Sequence, residues 1–494
     1  MERRNVVALL GWFLALPAMA QAHGAQAQAR ALPVRAQAGA SHLLLRPTRY
    51  ELDASVDFGE ERLSGRARIA LVNGNARPVR EASFTLYRLL KVSAVRDGQG
   101  RPLAFSREVV AYEDEPLLQV EHVRVPLVPA LPPGGRITLE LSYGGYLAGY
   151  VETGMLYVKD RVDSAFTIIR DDAQAYPVPN VPADSVRRNA GYPAFDYVAR
   201  ITVPSSHVVA NGGRLVTRTE AGGRATYEYR SIKPSSRMDF AIARFGVVQR
   251  GPLRVFHLPG DSAGGARALE AMERTLARYT ARFGPLAGDP GFTVIEVPDG
   301  WGSQADVTSI LQSAAAFRDT TRMGELYHEI SHLWNVASTE NPAPRWNEGL
   351  ATFLEYLTAA EVDHAKPIED RAEEYATWLR GKAAHEPGLA RVAPADYGRE
   401  RMTDYSYSVG MLAFYGLYRL AGPEAFNRMV GDYYARYHET GAGTRELEES
   451  ARRASTVDLA PFFRDWFFTP AWAGRLAKYG TFREVMASYE KAAP

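Results

Sequence analysis

The hydrophobic period of this chain changes once, near Arg250, and that change predicts two unlike halves. From Arg46 to Arg250 apolar residues recur at every second position. Tyr50, Leu52, Ala54, Val56 and Phe58 alternate with polar residues. So do Phe195, Tyr197, Ala199, Ile201 and Val203, and so do Ile137, Leu139, Leu141 and Tyr143 after the turn Pro132-Pro133-Gly134-Gly135. Successive side chains of an extended chain point to opposite faces, so this alternation predicts half-buried strands and an antiparallel β domain over 46–250. Beyond Arg250 the pattern becomes mixed and then helical. Ala266–Phe283 reads as a helix, Phe292–Pro298 as a strand, and from Thr320 the period of 3.6 dominates. The expected class is therefore α+β, with a second domain over 251–475 and a tail over 476–494. Gly260, Gly264 and Gly265 lack the lysine and the strand–loop–helix setting of a phosphate loop, and read as a turn.

The amino terminus carries a different signal. Met1-Glu2-Arg3-Arg4 is basic, Val6–Leu16 is apolar, and Ala18-Met19-Ala20 has small residues at the spacing of a cleavage site. These are the parts of a secretory signal peptide over 1–20, cleaved after Ala20. An uncleaved anchor is the alternative, but the apolar run falls short of the roughly 18–20 residues that cross a bilayer. An Ala- and Gln-rich stretch over 21–45 reads as a flexible linker. No later segment is long and apolar enough to span, so no membrane span is expected after cleavage.

Composition narrows the chemistry. With 58 Lys+Arg against 57 Asp+Glu the formal charge is +1, too little to attract a phosphate backbone, so nucleic acid is not an expected partner. Zero cysteines exclude disulfides, thiolate ligands and cysteine nucleophiles, so any metal must sit on His, Asp or Glu. An exported chain without disulfides, and with far more Arg than Lys, fits the bacterial periplasm.

Against that background stands His328-Glu329-Ile330-Ser331-His332, an H-E-x-x-H segment. Met323, Leu326, Tyr327, Ile330, Leu333, Trp334 and Ala337 form one apolar stripe at helical spacing. At about 100° per residue the two histidines fall opposite that stripe, one turn apart, as two ligands of one metal must. A zinc site needs a third ligand, here a carboxylate or another histidine. Asn341-Pro342-Ala343-Pro344 forces a loop, and helical spacing resumes over Arg345–Leu357 through Trp346, Leu350, Phe353, Leu354 and Leu357. Glu348 lies opposite that second stripe, Glu355 shares its face two turns on, and Glu340 sits in the loop. Spacing ranks Glu348 above Glu355 and leaves the choice open.

The run His328-Glu329-Ile330-Ser331-His332-Leu333-Trp334-Asn335, followed by Trp346-Asn347-Glu348-Gly349-Leu350-Ala351, resembles the gluzincin aminopeptidases of the aminopeptidase N / leukotriene-hydrolase type. The resemblance implies a β saddle followed by a thermolysin-like, mainly helical zinc-peptidase domain. It implies one Zn²⁺ per chain on His328, His332 and Glu348, the last being the glutamate of the family's N-E-G triplet. Fifteen residues separate His332 from Glu348, where the family typically has eighteen. Tyr407-Ser408-Val409-Gly410 resembles the family's Y-x-x-G, whose tyrosine stabilises the tetrahedral intermediate; Tyr405 is a nearby competitor. Phe462–Phe468 looks like the end of the catalytic domain. Asp172–Pro177 and Phe195-Asp196-Tyr197 leading to Ala210-Asn211-Gly212 look like the saddle. The likeness covers about residues 46–470, without the large helical domain that follows in many members.

These parts imply hydrolysis of a peptide bond. Zinc lowers the pKa of water, Glu329 takes its proton as general base, and Tyr407 steadies the oxyanion. The amine anchor departs from the pattern. Where the family has a glutamate in G-x-M-E-N, this chain reads Gly300-Trp301-Gly302-Ser303-Gln304-Ala305-Asp306, with Gln304 or Ala305 in the glutamate's place by a one-residue alignment choice, and Gly302 and Gln304 expected at the substrate. A neutral amide carries no full charge for an α-amine, and Asp306 or Glu296 are the carboxylates that could substitute. Trp301-Gly302-Ser303 could otherwise be a plain surface turn. Three expectations follow: an aminopeptidase, the same apparatus acting on blocked or internal amides, or a binding protein with a structural or idle metal.

Overall fold

The computed structural model describes residues 45–112, 116–153, 155–182, 194–288, 291–340, 342–400 and 402–490. The expected leader over 1–20 and nearly all of the linker over 21–45 lie outside the described residues.

The alternating segments form the expected strands. Seven of them make one sheet in the order Arg214–Ala221, Arg224–Arg230, Asp196–Pro204, Arg46–Asp57, Arg62–Val72, Arg136–Gly145, Leu90–Asp97. Their apolar residues fall in rows. Tyr229, Ala199, Leu52, Ala67, Leu141 and Val95 are successive cross-strand partners, and all are buried. A one-residue slip in any strand would turn its apolar set to water, and this fixes the register. A second sheet of four strands (Ser106–Ala111, Gln119–Leu131, Val79–Tyr87, Val178–Pro179) contributes Phe84, Leu86, Val123 and Val125 to the same core. The first sheet is not wholly antiparallel: Arg46–Asp57 runs parallel to Asp196–Pro204. The intervening strands supply the long crossover that parallel neighbours require.

The second half begins slightly earlier than the change of period suggests. Gly246–Arg250 pairs with Leu253–His257, opening a five-stranded sheet completed by Phe292–Val297, Ser309–Ser313 and the edge strand Gln304–Ala305. Helix Ser262–Phe283 covers it and leads into a helical core containing Tyr279, Tyr327, Ile330, Phe353, Leu412 and Trp466. Of the three glycines expected in a turn, only Gly260 is in one. Gly264 and Gly265 lie inside that helix, where a Cβ on Gly264 would stand 2.1 Å from the Phe317 carbonyl oxygen. The expected tail over 476–494 also differs. Helix Phe482–Glu490 buries Phe482, Val485 and Met486 in the core, so the chain is packed almost to its last described residue.

An apolar seam joins the halves: Phe166, Ile168, Ala241 and Phe245 from the first meet Phe256, Ile295, Val297 and Trp301 from the second. Trp301 is 7% exposed and packs edge-on to Phe166 at 4.9 Å, with the Arg170 guanidinium 5.5 Å from its ring. The segment around it is therefore an interdomain plug and not a surface turn. Among the described residues no helix is long and apolar enough to cross a membrane.

Candidate metal centre

Three helices build the site. The first, Gly324–Ser331, carries His328 and Glu329 and gives way at His332–Trp334 to a 3₁₀ turn. Its stripe is buried through Trp334, while Ala337 is exposed. There the backbone is recruited by another segment: Ala442 N–H donates to the Ala337 carbonyl at 2.9 Å and Thr339 N–H to Ala442 at 3.2 Å. The second helix, Trp346–Val362, carries Glu348 and Glu355; the third, Tyr405–Ala421, carries Tyr407. Tyr279 fastens the first two from behind. Its hydroxyl lies 3.3 Å from the carbonyl oxygens of both Tyr327 and Leu354, and 2.9 Å from Thr358 Oγ1.

The second and third helices meet backbone to backbone. A Cβ on Gly349 would stand 2.4 Å from Gly410 Cα, and one on Gly410 would stand 2.8 Å from Gly349 Cα. Only glycine at both places permits that approach, which sets Glu348 beside Tyr407. Ser406 adds a hydrogen bond to the Pro344 carbonyl at 2.7 Å, holding the loop before the second helix.

These contacts converge on a small polar chamber. Glu348 Oε2 is 3.5 Å from His328 Nε2 and 3.3 Å from His332 Nε2, and the candidate donor atoms of the three residues lie within 4.8 Å of one another. Tetrahedral ligation at about 2.0–2.1 Å implies donor separations of about 3.3–3.4 Å, so the trio fits a zinc ion by spacing and by ligand type. With fifteen residues between them, His332 and Glu348 still meet at 3.3 Å.

The outer nitrogens are also engaged. Glu355 Oε2 lies 3.3 Å from His328 Nδ1, and the Asn335 side-chain amide 2.7 Å from His332 Nδ1. A carboxylate or amide on the far nitrogen fixes ring orientation and ligand basicity, which is the role spacing could not assign to Glu355. Burial pulls the His328 imidazole down, yet Glu348 and Glu355 outweigh it and push its pKa up to about 10. A cation bound here would displace that proton. Burial also works against the Glu348 carboxylate, but His332, His328 and Arg345 hold it well below its usual range.

Glu329 is buried and raised by desolvation, against the pull of both histidines. The Tyr407 ring stacks on His328 at 6.0 Å with planes 12° apart, and burial together with the Glu348 charge pushes its phenol well up. Tyr405, the competitor, turns its hydroxyl away to Glu386. Glu340 is spent on Thr444, accepting from its hydroxyl at 2.9 Å.

The amine-anchor region is placed less simply. Ser303 donates to Glu325 Oε2 at 3.0 Å, tying the edge strand to the helix of His328. Gly302 takes φ 74° where the chain passes the Tyr157 side chain of the β domain. Gln304 lies on the edge strand within electrostatic reach of the Asp172 carboxylate, which burial would raise but Arg237 and Arg170 hold down at about 2. The two candidate substitutes each accept a hydrogen bond from elsewhere in the fold. Asp306 accepts from Ser235 at 2.6 Å, and Glu296 from the Leu258 amide at 2.6 Å on the far strand. Each bond holds one oxygen of its carboxylate within the fold.

No family model matches the chain. Among curated proteins, it is 23% identical over 321 residues to aminopeptidase 2, mitochondrial, of Saccharomyces cerevisiae, covering 60% of this chain and 33% of that protein. It is 25% identical over 232 residues to aminopeptidase M1-A of Oryza sativa subsp. japonica, covering 43% of this chain and 26% of that one. The chain thus spans about a third or less of these relatives' length. Among solved structures, the M1 zinc metallopeptidase of Deinococcus radiodurans superposes with a TM-score of 0.63 at 20% identity, over 86% of this chain and 93% of that one. A mutant of that protein bound to a Tyr-Ser-Ala substrate gives the same TM-score and identity, over 86% and 94%. The chain thus shares the two-domain fold of these M1 zinc metallopeptidase structures, a β-rich half followed by a mainly helical one, as the resemblance read in the sequence implied.

Proposed function

We propose that the protein is a zinc-dependent metallopeptidase, aminopeptidase-like, with its metal on His328, His332 and Glu348. The observation that carries this reading is the approach of Glu348 Oε2 to both imidazole Nε2 atoms, at 3.5 and 3.3 Å, with Glu329 buried between the two histidines in sequence. Bound there, zinc supplies a Lewis acid that lowers the pKa of water and polarises a carbonyl. Glu329 accepts the proton of the attacking water, and its raised pKa suits it to return that proton to the leaving amine. Tyr407 directs its hydroxyl at the oxygen that gains charge, an interaction strongest in the transition state. A purely structural metal site would have no use for a buried carboxyl at 329, which weighs against a binding or scaffold role.

A second reading, hydrolysis of blocked or internal amides, draws support from Gln304. It is neutral, so a free α-amine meets no full opposing charge there. The leader over 1–20 supports export, and we place the protein in the bacterial periplasm, acting on peptides.

One fluorogenic peptide, offered with a free and with an acetylated amino terminus, tests this proposal. We expect chelator-sensitive cleavage, and in Glu329→Gln retained zinc with turnover lower by about 10²–10⁴-fold. Cleavage of the free form alone supports the aminopeptidase; cleavage of both supports the second reading. Undiminished turnover in Glu329→Gln would refute the general-base assignment.

A further inference from the structure

Arg345 received no role from the sequence, and its backbone is unusual. Among the described residues four non-glycine positions have a positive φ: Glu61, Gln174, Arg345 and His364. Arg345, at φ 59° and ψ 27°, immediately precedes helix Trp346–Val362, three positions before Glu348. A long side chain is strained in that region. A cation is also misplaced at a helix amino terminus, where the dipole favours anions. Two local costs therefore meet at one residue.

What they achieve is visible in its contacts. Arg345 Nη2 donates to Glu348 Oε1 at 2.7 Å and lies 3.4 Å from the Tyr407 hydroxyl oxygen. The other oxygen, Oε2, is the one facing His328 and His332. The Glu348 side chain is 10% exposed while that of Arg345 is 42% exposed, so the guanidinium closes the chamber from the solvent side.

Building on the zinc-peptidase reading, we propose that Arg345 is a positioning residue that divides the Glu348 carboxylate, holding Oε1 so that Oε2 alone is offered to the cation. A carboxylate restricted to one oxygen keeps a coordination place for water, as a catalytic zinc site requires. The same guanidinium can only donate to the Tyr407 oxygen, which leaves the phenolic hydrogen for the substrate.

The test uses the full chain stripped of metal and reloaded with cobalt(II), whose visible absorption weakens as coordination number rises. Arg345→Gly keeps the backbone, since glycine accepts φ 59°, and removes the guanidinium. Arg345→Lys keeps the charge on a group without the fork, and Arg345→Asn serves if the glycine variant melts early without metal. We expect Arg345→Gly to bind cobalt and zinc about 10–100-fold more weakly, with a fainter visible band, and Arg345→Lys to recover part of the affinity. A glycine variant with wild-type affinity and spectrum overturns this inference and leaves the zinc reading standing. A wild-type chain that takes up no cobalt overturns both.

Discussion

Glu296 sits in strand Phe292–Val297 with no exposed surface, and burial pushes its carboxyl from an ordinary 4.5 up to about 8. Between those values the folded chain holds a proton that the unfolded chain has lost. Its contribution to stability therefore falls as pH rises from about 4.5 to 8. Glutamine mimics the protonated form and can still accept from the Leu258 amide. Glu296→Gln should melt above the wild type at pH 8.5, with a flatter dependence of Tm on pH; equal slopes for the two proteins would refute the assignment. This residue was legible in the sequence only as an acidic group near the edge of the site, because its burial depends on packing between strand and helix. By contrast His328, Glu329 and His332 declare themselves through four-residue spacing on one helix, and Glu348 through a motif. Arg345 does not, since a left-handed φ and the aim of a guanidinium follow from the loop Pro342–Pro344 and not from residue type. The neutral side chain of Gln304 was legible in the sequence, but its place near Asp172 depends on how the two halves meet.

The decisive contact at the scale of the element is helix on helix. Gly349 and Gly410 bring Trp346–Val362 and Tyr405–Ala421 close enough for Glu348 and Tyr407 to share one chamber. Gly349→Ala places a methyl 2.4 Å from Gly410 Cα and must push the helices apart. Overpacking of this kind typically costs about 1–3 kcal/mol. We expect a lower Tm and a fall in kcat larger than the change in KM, because Tyr407 moves away from the reacting oxygen; an unaltered kcat would show that the approach is incidental. Both glycines were visible within motifs, yet their mutual contact was not, since nothing in either helix names its neighbour. Helix existence was well marked by the apolar stripes. The end of the first helix was not, because the pairing of Ala337 and Thr339 with Ala442 competes with the helix over a long sequence separation.

Across the whole molecule, the change of period near Arg250 foretold two halves, and the seam between them supplies what period could not. Trp301, Phe166 and the buried Arg170–Asp160 pair, joined by two hydrogen bonds of 2.9 Å, lock the edge strand Gln304–Ala305 against the β domain. The position of that edge is thus a property of both halves. The helices bring a second kind of unity, because two imidazoles and a carboxylate from separate segments converge at a spacing that suits one cation. Elemental analysis of the full chain after incubation with excess zinc and gel filtration tests this most directly. The wild type should retain one zinc per chain and Glu348→Ala far less, while both metal-free proteins remain folded. A wild type without bound zinc, or a Glu348→Ala variant as fully loaded as the wild type, would contradict the account.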